Sequence, residues 1–277
     1  MKLTLARAAS ALTLLAALAA PLSAQAHRQW ILPSSTVLSG NDAWVGVDGG
    51  ISNGVFIADH AAMRLDNIRV TAPDGVTVVE TANPLVGKYR STFDVHLTQP
   101  GTYRIANNNI GVMAAWTLNG EPGRWRGPAS GLQAAIPAGA TDVVSAPSAT
   151  RLETFVTLGD ATTEVFKPTG EGIEFVPVTH PNDLVEGEAA TFQFLHDGKP
   201  YADAEVTLAR GGTRYRNNPE EITTKTDADG KISVTWPAAG MYWVNTSWRD
   251  PAAPAGRGRG GPPVASASYV AVLEVLP

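Results

Sequence analysis

From His27 onward, apolar residues recur at every second position in short runs, and glycine, proline, asparagine and aspartate separate the runs. A period of two belongs to half-buried β-strands, whose side chains alternate between two faces. The stretch YRSTFDVHL shows it clearly: Phe93, Val95 and Leu97 share one face, and Thr92, Asp94 and His96 the other. NIRVTAPDGVTVVE reads as strand, turn, strand, with Pro73-Asp74-Gly75 at the turn. PGTYRIANN supplies a further turn and strand. Residues 119–150, rich in Gly, Pro, Ala and Ser around Arg124-Trp125-Arg126, predict a long loop, after which ATRLETFVTLG restores a strand. Together these elements predict a β-sandwich over residues 27–168.

A second unit is predicted over residues 169–277. ATFQFLHDGKPYADAEVTLAR forms strand, Asp-Gly turn and strand, and ITTKTDADGKISVTWPAAGMYWVNTSW repeats the form with Asp229-Gly230 at its turn. The order of these segments resembles prealbumin-like or Cna-B-like sandwich modules. TDADG imitates part of a calcium loop, but the twelfth-position glutamate and the flanking helices are missing, so a hairpin turn is expected. PAAPAGRGRGGPP, residues 251–263, reads as a flexible loop. The expected fold is all-β: two Ig-like or prealbumin-like sandwiches in tandem.

Residues 1–26 carry a different signal. Lys2 and Arg7 precede the apolar run ALTLLAALAAPL, and Ala24-Gln25-Ala26 has the small residues a signal peptidase prefers. Cleavage after Ala26 would export the chain to the periplasm and make His27 the first residue, with a free α-amine. It would leave 19 basic against 26 acidic residues. That balance argues against nucleic acid and anionic membrane surfaces as partners. The absence of cysteine removes disulfides, thiolate metal sites and cysteine nucleophiles from consideration.

Histidine is then the chemistry left to weigh. A terminal histidine can chelate a transition metal through its amine and one ring nitrogen, because the amine releases its proton near neutral pH. His60 ends the apolar run SNGVFIADH; His96 lies two residues from Asp94 on the polar face of its strand; His180 precedes a proline, which holds it extended. His196, before Asp197-Gly198, reads as a turn residue. No H-x-x-x-H pair, G-x-S-x-G elbow, phosphate loop or dinucleotide fingerprint occurs, and no carboxylate spacing singles out an acid/base pair. No catalytic residue and no enzymatic activity are therefore predicted.

AHRQWILPSSTVLSG, ISNGVFIADH, GKYRSTFDVHL, VTHPNDLVEGE, DGKPYADAEVTL and TDADGKISVTWPAAGMYW, in that order, resemble the NikM-like family of bacterial periplasmic proteins. Members are described, largely by analogy, as periplasmic components of nickel or cobalt uptake, and others look associated with envelope iron uptake. The resemblance implies metal handling with His27, His60, His96 and His180 in family-like segments, and an inner- or outer-membrane uptake system as partner. Nitrogen and oxygen donors without thiolate suit Ni, Co, Cu or Zn. The rival expectation is a non-catalytic envelope module that binds protein or glycan through its loops. A copper oxygenase built on the terminal histidine is a third reading, weakened by the lack of a flat aromatic substrate face.

Overall fold

The computed structural model describes residues 27–253 and 261–277. The predicted signal segment, and residues 254–260 of the 251–263 loop, lie outside the described residues.

The chain forms three layers of β-structure. A five-stranded outer sheet joins Arg28–Pro33, Ala43–Ser52, Ser91–Leu97 and Thr81–Val86, with Ala61–Ala62 added to the edge of Ala43–Ser52. A four-stranded outer sheet contains Ile173–Pro177, Ala189–His196, Lys199–Pro200 and Lys231–Thr235. Between them runs a ten-stranded sheet containing the long Gly101–Leu118 and Thr141–Leu158 strands and the later strands Glu205–Arg210, Gly240–Arg249 and Ser266–Val275.

The two predicted sandwiches share this central sheet. Ser266–Val275 pairs in parallel with Thr141–Leu158, Ser148 opposite Ser266, so a strand of the second unit lies beside a strand of the first. A boundary at residue 168 therefore separates the outer sheets and leaves the middle one common. Alternation along the shared strands feeds two cores. Val270 and Val272 pack with the first outer sheet, whereas Tyr269, Ala271, Leu273 and Val275 pack with the second. Trp243 similarly faces one core while Tyr242 and Val244 face the other.

The loop expected over residues 119–150 is replaced by a hairpin, a short helical stretch at 129–135 and the first part of the Thr141–Leu158 strand. Leu118 and Glu121 face each other across Asn119-Gly120, and both turn residues have positive φ, 53° and 82°. That geometry is the two-residue turn an Asn-Gly pair favours. Three of the glycines that suggested a loop, Gly123, Gly127 and Gly131, are contact points for rings. A Cβ on Gly123 would lie 2.1 Å from the Trp116 indole, and one on Gly127 would lie 2.6 Å from the Trp125 ring.

Buried charge crosses the interface of the central sheet and the second outer sheet. Arg151, Glu153 and Glu174 are almost fully buried. Arg151 lies 3.6 Å from Glu174 and 3.9 Å from Glu153, and Arg104 lies 4.0 Å from Glu153. Tyr269 donates its hydroxyl proton to Glu153 Oε2 at 3.0 Å. Glu174 accepts from the Thr169 and Gly170 N–H groups and from the Thr169 hydroxyl.

Candidate functional site

The site begins at the end of the first outer sheet. Arg28–Pro33 pairs along one side of Ala43–Ser52, Arg28 opposite Ser52. On the other side, Ala61 pairs with Ile51. His27 and His60 therefore enter from opposite flanks of the same strand end, about two strand spacings apart, or roughly 10 Å between backbones. Two imidazole side chains span that gap: the His27 and His60 rings stack with centroids 3.6 Å apart and planes inclined by 12°.

Both partners rest on anchored backbone. Trp30 donates Nε1–H to Ser52 Oγ at 2.8 Å and meets Phe56 edge-on at 6.0 Å, which fixes the loop leading to His60. Val55 is buried beneath that loop, and Asp59 accepts the Asn53 N–H at 2.9 Å. A Cβ on Gly50 would come within 2.6 Å of the Trp30 ring, so glycine is what lets the indole lie across this strand. On the His27 side, Arg28 sits 4.9 Å from the Trp243 ring centroid and pairs with Glu221, and Trp243 donates its indole N–H to the Gln29 carbonyl. His27 is thereby adjacent to a docked residue rather than at a free end.

Parallel rings cannot both aim their lone pairs at one ion. A shared metal therefore requires one imidazole to turn out of the stack, a rotamer change that the exposed His60 can make. Among the described residues, no three His, Asp or Glu side chains stand together as a metal-binding group. The donors at hand are the two imidazoles and whatever nitrogen His27 itself presents.

His96 and His180 lie elsewhere. His96 pairs opposite Trp44, at the far end of the strand that ends at Ser52. Trp44 and Ser52 are eight steps apart along the strand, about 26 Å at 3.3 Å per residue. There His96 stacks on the Trp44 indole at 4.3 Å and contacts Asp42 at 3.0 Å. His180 fastens the inter-unit segment to the central sheet. Its Nε2 lies 3.2 Å from the Thr162 carbonyl and 3.1 Å from the Thr102 hydroxyl, and its Nδ1 accepts the Asn182 N–H. The neutral ring with its proton on Nε2 satisfies both ends, so metal ligation would break an existing clasp.

Burial lowers the proton affinity of His180 below the ordinary histidine value of 6.5, with the Thr162 carbonyl and Asp183 opposing the shift. The unfolded chain then takes up this proton at higher pH than the folded one. The stability associated with neutral His180 is complete above pH 6.5, declines as pH falls to the folded value, and is lost below it. Melting curves between pH 8 and 5 should show less acid-side loss for His180→Gln than for the unaltered chain; identical slopes would exclude this role.

A cleft of about 590 Å³ opens beside His27. Its floor is the part of the central sheet that the first outer sheet leaves uncovered. Thr150 faces Ser268 and Ser268 faces Ser247, a polar row over three strands, and Asn245 faces Thr207 in the next row, beside Val270 and Leu152. Glu205 and Glu221 stand in the wall with Arg28. Sequence reasoning missed this floor. The alternation of hydroxyl and amide residues with apolar ones was visible, but a solvated sheet face shows the same pattern.

A sequence model of the family described as Domain of unknown function (DUF4198) matches residues 24–250. No curated protein matches the chain. Among solved structures, the D0-D1 domain of Intimin is 13% identical over 89% of this chain and 97% of that one, with a TM-score of 0.23. Trypsin-activated alpha-2-macroglobulin from Escherichia coli is 14% identical over 89% of this chain and 15% of that one, with a TM-score of 0.24. The ICAM-5 D1-D4 ectodomain fragment is 12% identical over 90% and 51%, with a TM-score of 0.22.

Proposed function

The chain belongs to the DUF4198 family, and we propose that it is a periplasmic transition-metal-binding protein whose first mature residue is His27. The observation that carries the reading is the meeting of His27 and His60 at one sheet corner, their rings 3.6 Å apart. Cleavage after Ala26 would add the α-amine to the two imidazoles and give three nitrogen donors. Such a set favours Cu(II) or Ni(II) in tetragonal geometry over calcium or magnesium, which prefer oxygen. Co(II), Zn(II) and iron bind nitrogen sets less tightly than copper. The resemblance to NikM-like proteins supports the same reading and points to an envelope uptake system as the recipient of the metal. The protein carries the ion and performs no chemistry on it.

The test uses the chain exported with its own leader, its first residue established by mass spectrometry. Titration with Cu(II) and Ni(II) should give one equivalent bound per chain. His60→Ala should weaken binding about tenfold, about 1.4 kcal/mol. His96→Ala should leave it unchanged, because that ring lies at the other end of the sheet. Failure to bind either metal, or equal losses in the two variants, would defeat the reading.

A further inference from the structure

A second trough adjoins the first. It measures about 730 Å³ and shares Gln29 as a wall with the cleft beside His27. Asn67, Asn107 and Asn109 line it, joined in a directed chain: Asn67 donates to Asn109 at 2.6 Å, Asn109 to Asn107 at 3.1 Å, and Asn107 to the Arg64 carbonyl at 3.0 Å. Each amide nitrogen keeps a second N–H for another acceptor.

Arg126 closes the trough. Its Nη2 donates to Ser148 Oγ and to Thr150 Oγ1, both at 3.1 Å. Thr150 stands directly opposite Asn109 in the sheet, so the guanidinium sits beside the amide row. No carboxylate lies within 4.0 Å of Arg126 among the described residues, and the remaining residues, 1–26 and 254–260, contain no acid. The carboxylate lining the same trough, Asp66, is already paired with Arg64. Desolvation by its surroundings lowers the proton affinity of Arg126 without approaching neutrality at physiological pH. An arginine lining a cleft, held through Nη2 by two hydroxyls and lacking an anionic partner among the described residues, keeps its Nε and Nη1 N–H groups for an oxyanion.

We propose that this trough binds a small organic anion, with its carboxylate or phosphate group on Arg126 and its polar remainder against Asn67, Asn107 and Asn109. The volume falls in the range of small-molecule sites and exceeds what a bare inorganic anion would fill. The amide-rich lining selects a hydrogen-bonding ligand over an apolar one. The site is separate from the His27–His60 pair and does not depend on metal.

Calorimetry on the full chain, expressed with its own leader and stripped of metal, tests the assignment at low salt. The probes are succinate, citrate, glycerol 3-phosphate and inorganic phosphate. At least one organic anion should bind saturably at one per chain, and the carboxylate and phosphate arms identify which headgroup is preferred. Arg126→Gln should weaken that binding at least tenfold. Arg124→Gln removes the same charge from the outer part of the hairpin and should leave binding unchanged, as should His27→Ala. If Arg126→Gln does not fold, Asn67→Leu at the exposed rim carries the test and should also reduce affinity. No saturable binding, binding of inorganic phosphate as tightly as any organic probe, or equal losses in Arg124→Gln and Arg126→Gln would overturn the proposal.

Discussion

Glu153→Ala is expected to destabilise the fold by about 3–5 kcal/mol, the cost typical of removing one partner from a buried ion pair. Arg151 would keep Glu174 at 3.6 Å, but among the described residues Arg104 would lose the carboxylate 4.0 Å away. Tyr269 would lose the acceptor of its hydroxyl, which is fully buried. Burial, and then the Glu153 carboxylate, push the Tyr269 phenol well above its ordinary value in the unaltered chain, so it stands there as a neutral donor. Glu153→Gln should cost less because an amide oxygen can still accept from Tyr269. Urea denaturation of Glu153→Ala, Tyr269→Phe and the double variant would separate the hydrogen bond from the charge. A loss below about 1 kcal/mol for Glu153→Ala would mean that the cluster relaxes to solvent, against the burial described. The Arg151–Glu174 pair joins the central sheet to the second outer sheet, and charge paired across those two layers fits one register.

One methionine placed before His27 should weaken Cu(II) or Ni(II) binding at least a hundredfold, about 2.7 kcal/mol. The extension converts the His27 amine into an amide, a poor donor until deprotonated, while the imidazole and His60 remain. Binding falls from a chelate supported by a second ring to two separate imidazoles. Stability without metal should hardly change, because Arg28, Gln29 and Trp30 carry the anchoring contacts: Arg28 to Glu221 and Trp243, the Gln29 carbonyl to Trp243, and Trp30 to Ser52. With excess metal, the unextended chain alone should gain the full rise in melting temperature that mass action predicts. A His27→Ala form belongs beside it, since the added methionine brings an amine of its own. Equal metal affinity in all three would show that the amine plays no part and would leave the His27–His60 stack without the proposed function.

Much of the architecture was legible in the amino-acid order. Period-two runs such as STFDVHL placed Phe93, Val95 and Leu97 in a core, and all three are buried. Asp197-Gly198, both at positive φ, turn the expected hairpin between Ala189–His196 and Lys199–Pro200. The hairpin expected at Asp229-Gly230 is instead a crossing from Ile222–Lys225 of the central sheet to Lys231–Thr235 of the second outer sheet. Asn119-Gly120 carried the same signal, but the surrounding glycines hid it; ring-over-glycine packing cannot be distinguished locally from a flexible loop. The sequence also made His27 conspicuous, because the small-residue triplet before it is a local pattern.

Tertiary structure alone decided the rest. Alternation says which residues share a face and is silent on which sheet will cover it. YVAVLEV, residues 269–275, alternates so little because both of its faces are buried, and only the pairing of Ser266–Val275 with Thr141–Leu158 reveals the two cores it serves. The same limit governed the histidines. His60 met His27 because two strands flank one partner, while His96 was carried to the other end of that partner by its register. His180 became a hydrogen-bonded clasp because Thr102 and Thr162, distant in sequence, close around it. Strand pairing acts between residues far apart in the chain, so the local pattern fixed each strand's faces and the long-range register fixed which side chains could meet.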